Sequence, residues 1–431
     1  MSLVVGNPDS YITDRFLPVL RRVPDEMLAR YPMLAFGLGL ALAANSLLRL
    51  DAPGAFRIAI ESPAQPAYLE PSIDAFTLAA MRAVARRTAF AFRESADAAL
   101  TVVRSVDEIP AELRARFGEH LGTILRQLSY SLLQGGMIDD AIATAVRSVS
   151  LCTTQTARNY SVVYAVGATA FAGDLSRSRT FSASIDAAAW PENLHRTYMN
   201  ALGVVAEGYQ HLDALDFAGA ADALRGTDAY TTTGEFWPFF TGISVAARHG
   251  LGQARAEAER VTRELAASRM PGTGDNAATE HLHATLARAW LAGGDHRAAG
   301  RLLDAQPPER PFLAAARVDR LLAEERAGDA LTLAEASLEL PTHTLRTRSD
   351  LWTSGAVAAL RHNRPELAWS WLTSAALCWE SYGPRMHVAL LPARDRRLLV
   401  ELAEQHHSTS VLRYLEVPTV AGQASPRQSC T

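Results

Sequence analysis

The 431-residue sequence contains no lysine, and all 42 of its basic residues are arginine. That absence removes the Gly-Lys-Ser/Thr phosphate loop, which needs an ammonium on the β- and γ-phosphates, together with Schiff-base catalysis and acyl enzymes of the Ser-x-x-Lys type. Cysteine is scarce. Cys152, Cys378 and Cys430 lie far apart, so neither a disulfide framework nor a Cys-x-x-Cys metal site is readable, and the three are expected to be thiols of a reducing compartment. Excess charge of one sign is also missing. A formal net charge of -4 gives no electrostatic footprint for a polyanion, so direct nucleic-acid binding is not expected. Long apolar runs are absent as well. Residues 33–48 carry no charge but include Asn45 and fall short of the ~20 apolar residues of a membrane span, so a buried helix is expected there and no membrane attachment. Upstream of this stretch the chain is acidic and mixed (Asp9, Asp14, Asp25, Glu26) rather than a basic leader, which favours a cytoplasmic location.

What is present points to helices. Apolar residues make up 48% and charged residues 20%, enough burial for a folded chain, and Ala, Leu, Arg and Glu dominate where alternating β-branched runs would be needed for strands. The expected class is all-α. Short loops punctuate the pattern at Asp51-Ala-Pro-Gly54, Gln134-Gly-Gly136, Gly173-Asp174, Gly250-Leu-Gly252, Gly293-Gly-Asp295, Gly328-Asp329 and Asn363-Arg-Pro365. A small residue follows at a recurring place: Ala55, Ala98, Ala141, Ser178, Ala220, Ala254, Ala299, Ala330 and Ala368. Their spacing of 31 to 45 residues is the period range of helix-turn-helix repeats. In the unit around Gly293-Gly-Asp295, a glycine ends one helix, Asp295 is suited to cap the next, and Ala298 and Ala299 allow close approach.

A single hairpin cannot hide both its apolar faces, so the pattern predicts a superhelical solenoid of tetratricopeptide-like hairpins. The expected organisation is a lead-in segment at 1–34, an array of about nine hairpins over 35–400 with a hinge at 270–275, and a C-terminal helix and tail over 401–431.

Reactive constellations are not apparent, so no catalytic residue, metal site or cofactor is expected. Gly37-Leu-Gly39 lacks both a preceding strand and the third glycine of a dinucleotide turn, and no Gly-x-Ser-x-Gly elbow occurs. His281 and His283 are two apart on a predicted helix, whereas a helical zinc pair is spaced by four. His406-His407 reads as solvated polar sequence. Asp139-Asp140 opens a helix, where carboxylates favour the positive end of the dipole.

Solenoids bind along the concave surface of their inner helices. In Tyr230-Thr-Thr-Thr-Gly-Glu235-Phe236-Trp237-Pro-Phe-Phe240 four large aromatic side chains beyond the turn-opening tyrosine crowd one carboxylate. Exposed, Glu235, Phe236, Trp237 and Phe240 form an anchor site; buried, they are core between repeats. A second candidate is Arg196 with Asn200, four apart and so on one helical face. Trp369, Trp371 and Trp379 suit either core packing or a partner patch.

The run Leu17-Pro-Val-Leu-Arg-Arg-Val-Pro-Asp-Glu-Met-Leu-Ala-Arg-Tyr-Pro-Met-Leu34 resembles the start of the helical-repeat domain in MalT-like, LuxR-type transcription regulators, and the units described above continue the similarity to about residue 400. Such regulators add a nucleotide-binding ATPase and a C-terminal helix-turn-helix. Here neither domain is expected: no ATPase motif is read ahead of the repeats, and Ser425-Pro-Arg427 matches the opening of the LuxR-type helix-turn-helix only until Gln428 stands where Glu is usual. The resemblance implies a non-enzymatic regulatory sensor and interaction module that binds a small-molecule inducer, a peptide or a protein on its concave face, with homo-oligomerisation allowed. The alternative is a scaffold or co-chaperone that holds only protein or peptide partners.

Overall fold

The computed structural model describes residues 17–44, 48, 51–62, 73–189, 200–226, 235–267 and 275–417. Among these there are twenty-four α-helices and no strand. Twenty of the helices form ten successive pairs. The first five pairs are α1 (Pro32–Ala44) with α2 (Ala52–Glu61), α3 (Ile73–Thr88) with α4 (Phe92–Ser105), α5 (Glu119–Gln134) with α6 (Ile138–Leu151), α7 (Gln155–Ala172) with α8 (Leu175–Ser182), and α9 (Ala201–Asp213) with α10 (Phe217–Ala223). The remaining five are α11 (Trp237–Gly250) with α12 (Ala254–Ala267), α13 (Ala277–Ala292) with α14 (His296–Asp304), α15 (Pro311–Ala323) with α16 (Ala327–Leu338), α17 (Leu345–Arg361) with α18 (Pro365–Tyr382), and α19 (Ala393–Gln405) with α20 (Thr409–Leu415). No helix among the described residues is long and apolar enough to cross a membrane. The segment expected as a hinge, 270–275, lies outside the described residues except for Asp275.

Local sequence explains the pairing. Three of the second helices, α8, α10 and α14, start on aspartate caps: Asp174, Asp216 and Asp295 accept from the backbone N–H of Arg177, Gly219 and Ala298 at 3.0, 2.9 and 2.8 Å. The turns need a residue in the left-handed region, filled by Gly136, Gly173, Gly252 and Gly294 in some pairs and by Phe90, Leu215, Glu325 and Asn363 in others. The break expected at Gly328-Asp329 is therefore displaced. It falls at Glu325, and Gly328 is already inside α16.

First and second helices differ in burial. Every side chain from Ser161 to Ala172 of α7 and from Ala277 to Trp290 of α13 is buried, so these helices are covered on all sides. Second helices bury one stripe, as in α14, where Ala299 and Leu303 are enclosed and the opposite face is solvated. Of the nine small residues spaced through the sequence, eight are buried and Ala98 is half-buried. They let paired backbones approach closely.

Each first helix packs on the first helix of the next pair. Contacts also join elements far apart in sequence: α5 with α13, α7 with α17, α8 with α18, and α11 with the short helix Met386–Leu390. Where α7 meets these later elements, Phe171 stacks on Phe312 at 4.9 Å and packs edge-on against Phe239 at 5.0 Å. At this level the first helices face one another, not solvent.

Candidate functional site

The carboxylate and rings singled out in the 230–240 segment are interior. Glu235, Phe236 and Phe240 are buried, and Trp237 is half-buried against the core around Val245 and Leu282. Residues 230–234 and Arg196 lie outside the described residues. Asn200 stands half-buried at the N-terminal edge of α9 and makes no side-chain cap there. Of the tryptophans, Trp379 is buried and donates to Ser349 at 2.7 Å, while Trp369 and Trp371 are half-buried. His406 is exposed and its ring stacks on Trp369 at 4.0 Å. Asp139 and Asp140 sit exposed in the first turn of α6.

Glu235 leads to a feature that spans the molecule. Four arginines, Arg87, Arg126, Arg288 and Arg346, are at most 4% exposed, a state rare for this side chain unless it is paired. Arg87, at the end of α3, donates to Glu235 at 3.2 Å, to the Gln127 backbone and side chain at 2.8 and 2.9 Å, and to Ser131 at 3.1 Å. Its guanidinium lies 4.8 Å from the Tyr130 ring, and Tyr130 stacks on Phe236 at 4.9 Å. Tyr130 and Gln134 in turn donate to the Glu235 carbonyl at 3.1 and 2.7 Å.

Arg346, in the first turn of α17, takes a bidentate hold on Asp213 at 3.2 and 2.9 Å and donates to the Ala170 and Phe171 carbonyls at 2.8 and 3.1 Å. It thus caps the negative end of α7 with a cation. Tyr209 lies beneath it at 4.5 Å. Burial opposes the charge, but the Asp213 carboxylate outweighs it and the guanidinium pKa is raised.

Arg288 of α13 bridges Asp319 at 2.8 Å and Asp350 at 3.1 Å, and the carboxylates outweigh burial here too. Ser354 and His387 complete this cluster. Ser354 donates to Asp319 at 2.5 Å, which leaves His387 Nε2, at 2.7 Å, to donate to the hydroxyl. A serine beside a histidine suggests a nucleophile and its base. Two facts oppose that chemistry: the serine proton is engaged by Asp319, and burial, with the nearby Arg288, pulls His387 down to about 3.

Burial similarly holds His283 down to about 4 and lowers His281, which lies within an aromatic shell of Phe171, Tyr209 and Phe312. These histidines are neutral when folded and charge readily at their ordinary pKa near 6.5 when unfolded. Their stabilising contribution is therefore complete above pH 6.5 and is lost as pH falls toward 4, at about 1.4 kcal/mol per pH unit for each. A melting temperature level from pH 7 to 8 and falling steeply below pH 6 is expected. Melts unchanged down to pH 4.5 would mean that these rings are not enclosed in solution.

Among the described residues, no group of three or more His, Cys, Asp or Glu is placed to hold a metal ion. A surface cleft of about 370 Å³ between α14 and α15 is bordered by His296, Arg301 and Asp304, but Arg320 already pairs there with Asp304 at 2.6 Å. Compared with protein-family models and with curated proteins, the sequence matches none.

Sequence reasoning did not find the buried arginines or Asp213. The signal available was an arginine set among core-type residues, as Arg126 is on a helix that buries Leu125, Leu128, Tyr130 and Leu132. The partners sit 133 to 176 residues away in the case of Arg346, beyond any local pattern.

Proposed function

We propose that this chain is a non-enzymatic regulatory module, a tetratricopeptide-like solenoid closed on itself, that binds a small-molecule inducer, peptide or protein at its interior faces as the repeat domains of MalT-like, LuxR-type regulators do. The observation that carries this reading is the series of arginine-on-tyrosine contacts contributed by first helices: Arg87 on Tyr130, Arg126 near Tyr160 and Tyr164, and Arg346 on Tyr209. Arginine and tyrosine recognise polar ligands by forked donation and by their faces, and here they line the interior of a helical stack, not its solvated rim. The contacts between helices far apart in sequence support a mechanism in which ligand binding biases how tightly the array closes.

A thermal-shift screen of the full chain against metabolites and against peptides tests the proposal. A saturable rise with at least one small molecule is expected, and duplex DNA is expected to give no salt-sensitive binding isotherm. Response to proteins or peptides alone would favour a scaffold. A clear salt slope with DNA, or turnover abolished by Ser354→Ala, would contradict the proposal.

A further inference from the structure

Three of the four buried guanidiniums are neutralised by one or two carboxylates. Arg126 is the exception. No carboxylate among the described residues reaches it, and its Nε has no hydrogen-bond partner although the side chain is only 1% exposed. Two candidate counter-charges close by are engaged or neutral. Glu119, two turns earlier on α5, accepts from the Thr154 backbone and hydroxyl at 2.8 and 2.7 Å, and burial pushes the Cys152 thiol up. What lies against the guanidinium is aromatic: the Tyr160 ring at 5.5 Å and the Tyr164 ring at 5.8 Å, both from α7. The Tyr164 hydroxyl, near the Gln127 side chain, is also buried without a hydrogen bond, and burial raises its pKa so that it remains a neutral donor.

A buried cation with no anion is far more costly than a paired one, so a guanidinium kept in this state is suited to receive an anion. A planar guanidinium beside a free phenol is a donor set for an oxyanion. Tyr160, one of the two rings over the guanidinium, is only half-buried.

We infer that α5 and α7 form an oxyanion subsite in which Arg126 and Tyr164 receive the carboxylate or phosphoryl group of a small ligand. The inference rests on the sensor reading above and gives its ligand a charge.

The test is calorimetric titration and melting of the full chain with inorganic phosphate and, separately, with succinate, at an ionic strength held constant with chloride. One of the two is expected to bind saturably and to raise the melting temperature by about 2 °C or more, which also tells a phosphoryl from a carboxylate ligand. Arg126→Met should abolish this response while leaving the ligand-free melting temperature unchanged or higher, because it removes an unpaired charge. Tyr164→Phe should weaken binding by about tenfold, and it decides the matter if Arg126→Met does not fold. The subsite is overturned if the wild type ignores both oxyanions, if the response survives Arg126→Met, or if Tyr164→Phe binds as the wild type does. A chain that answers only neutral metabolites or peptides overturns the subsite and leaves the sensor reading standing.

Discussion

Asp213→Ala is expected to destabilise the protein by about 3–5 kcal/mol, measured as a fall in the urea midpoint at pH 7.5. The substitution leaves Arg346 buried at 1% exposure with the Ala170 and Phe171 carbonyls as its remaining hydrogen-bond acceptors and no carboxylate paired with it. It also removes the acceptor of the Met386 backbone N–H, 2.9 Å from the same carboxylate. Removing one partner of a buried pair costs more than the pair contributes, because the remaining charge has lost both water and counter-ion. The effect should not be confined to α9. Asp213 links α7, α17 and the Met386–Leu390 helix, so hydrogen exchange should accelerate in all three.

Gly173→Ala is expected to cost about 2–4 kcal/mol in the same assay. Gly173 ends α7 at φ 92°, where a side chain is strained, and a Cβ there would lie 2.7 Å from the Arg346 backbone nitrogen and 2.9 Å from its Cβ. Backbone cannot swing away as a flexible side-chain tip can, so α17 would have to retreat from α7 and loosen its hold on the Ala170 and Phe171 carbonyls. Gly294→Ala is the control. Its φ of 80° is also left-handed but its surroundings are open, so it should lose only about 1 kcal/mol. Equal costs at the two positions would show that α7 and α17 are not in close contact.

The all-helical class and many hairpin breaks were legible in the sequence because helix formers dominate and glycine marks turns such as Gly135-Gly136, Gly173 and Gly293-Gly294. The breaks at Phe90 and Leu215 were not, since non-glycine residues occupy the left-handed turn position there and nothing in composition announces them. The spaced alanines were legible as contact points because close helix approach requires a small side chain at a fixed place in each pair. For the 230–240 segment the sequence allowed both an exposed anchor and a core; Glu235, Phe236 and Phe240 are interior because Arg87 and Tyr130, more than a hundred residues earlier, meet them. His281 and His283 share that fate despite facing different ways, since α13 is enclosed on every side. Ion pairs such as Arg87–Glu235 depend on where the chain returns after 148 residues, which no local period encodes. The one global hint was the absence of lysine: the guanidinium is the more weakly hydrated cation and the better suited to buried, forked pairing.

The account stands on first helices from distant pairs closing upon one another around buried arginines. A double-mutant cycle of Arg346→Met and Asp213→Ala measures that closure directly. The account predicts a coupling energy of about 2 kcal/mol or more, with the double variant more stable than the sum of the single losses allows. A coupling below about 0.5 kcal/mol would mean that the two side chains do not meet in solution, and the closed arrangement would be wrong.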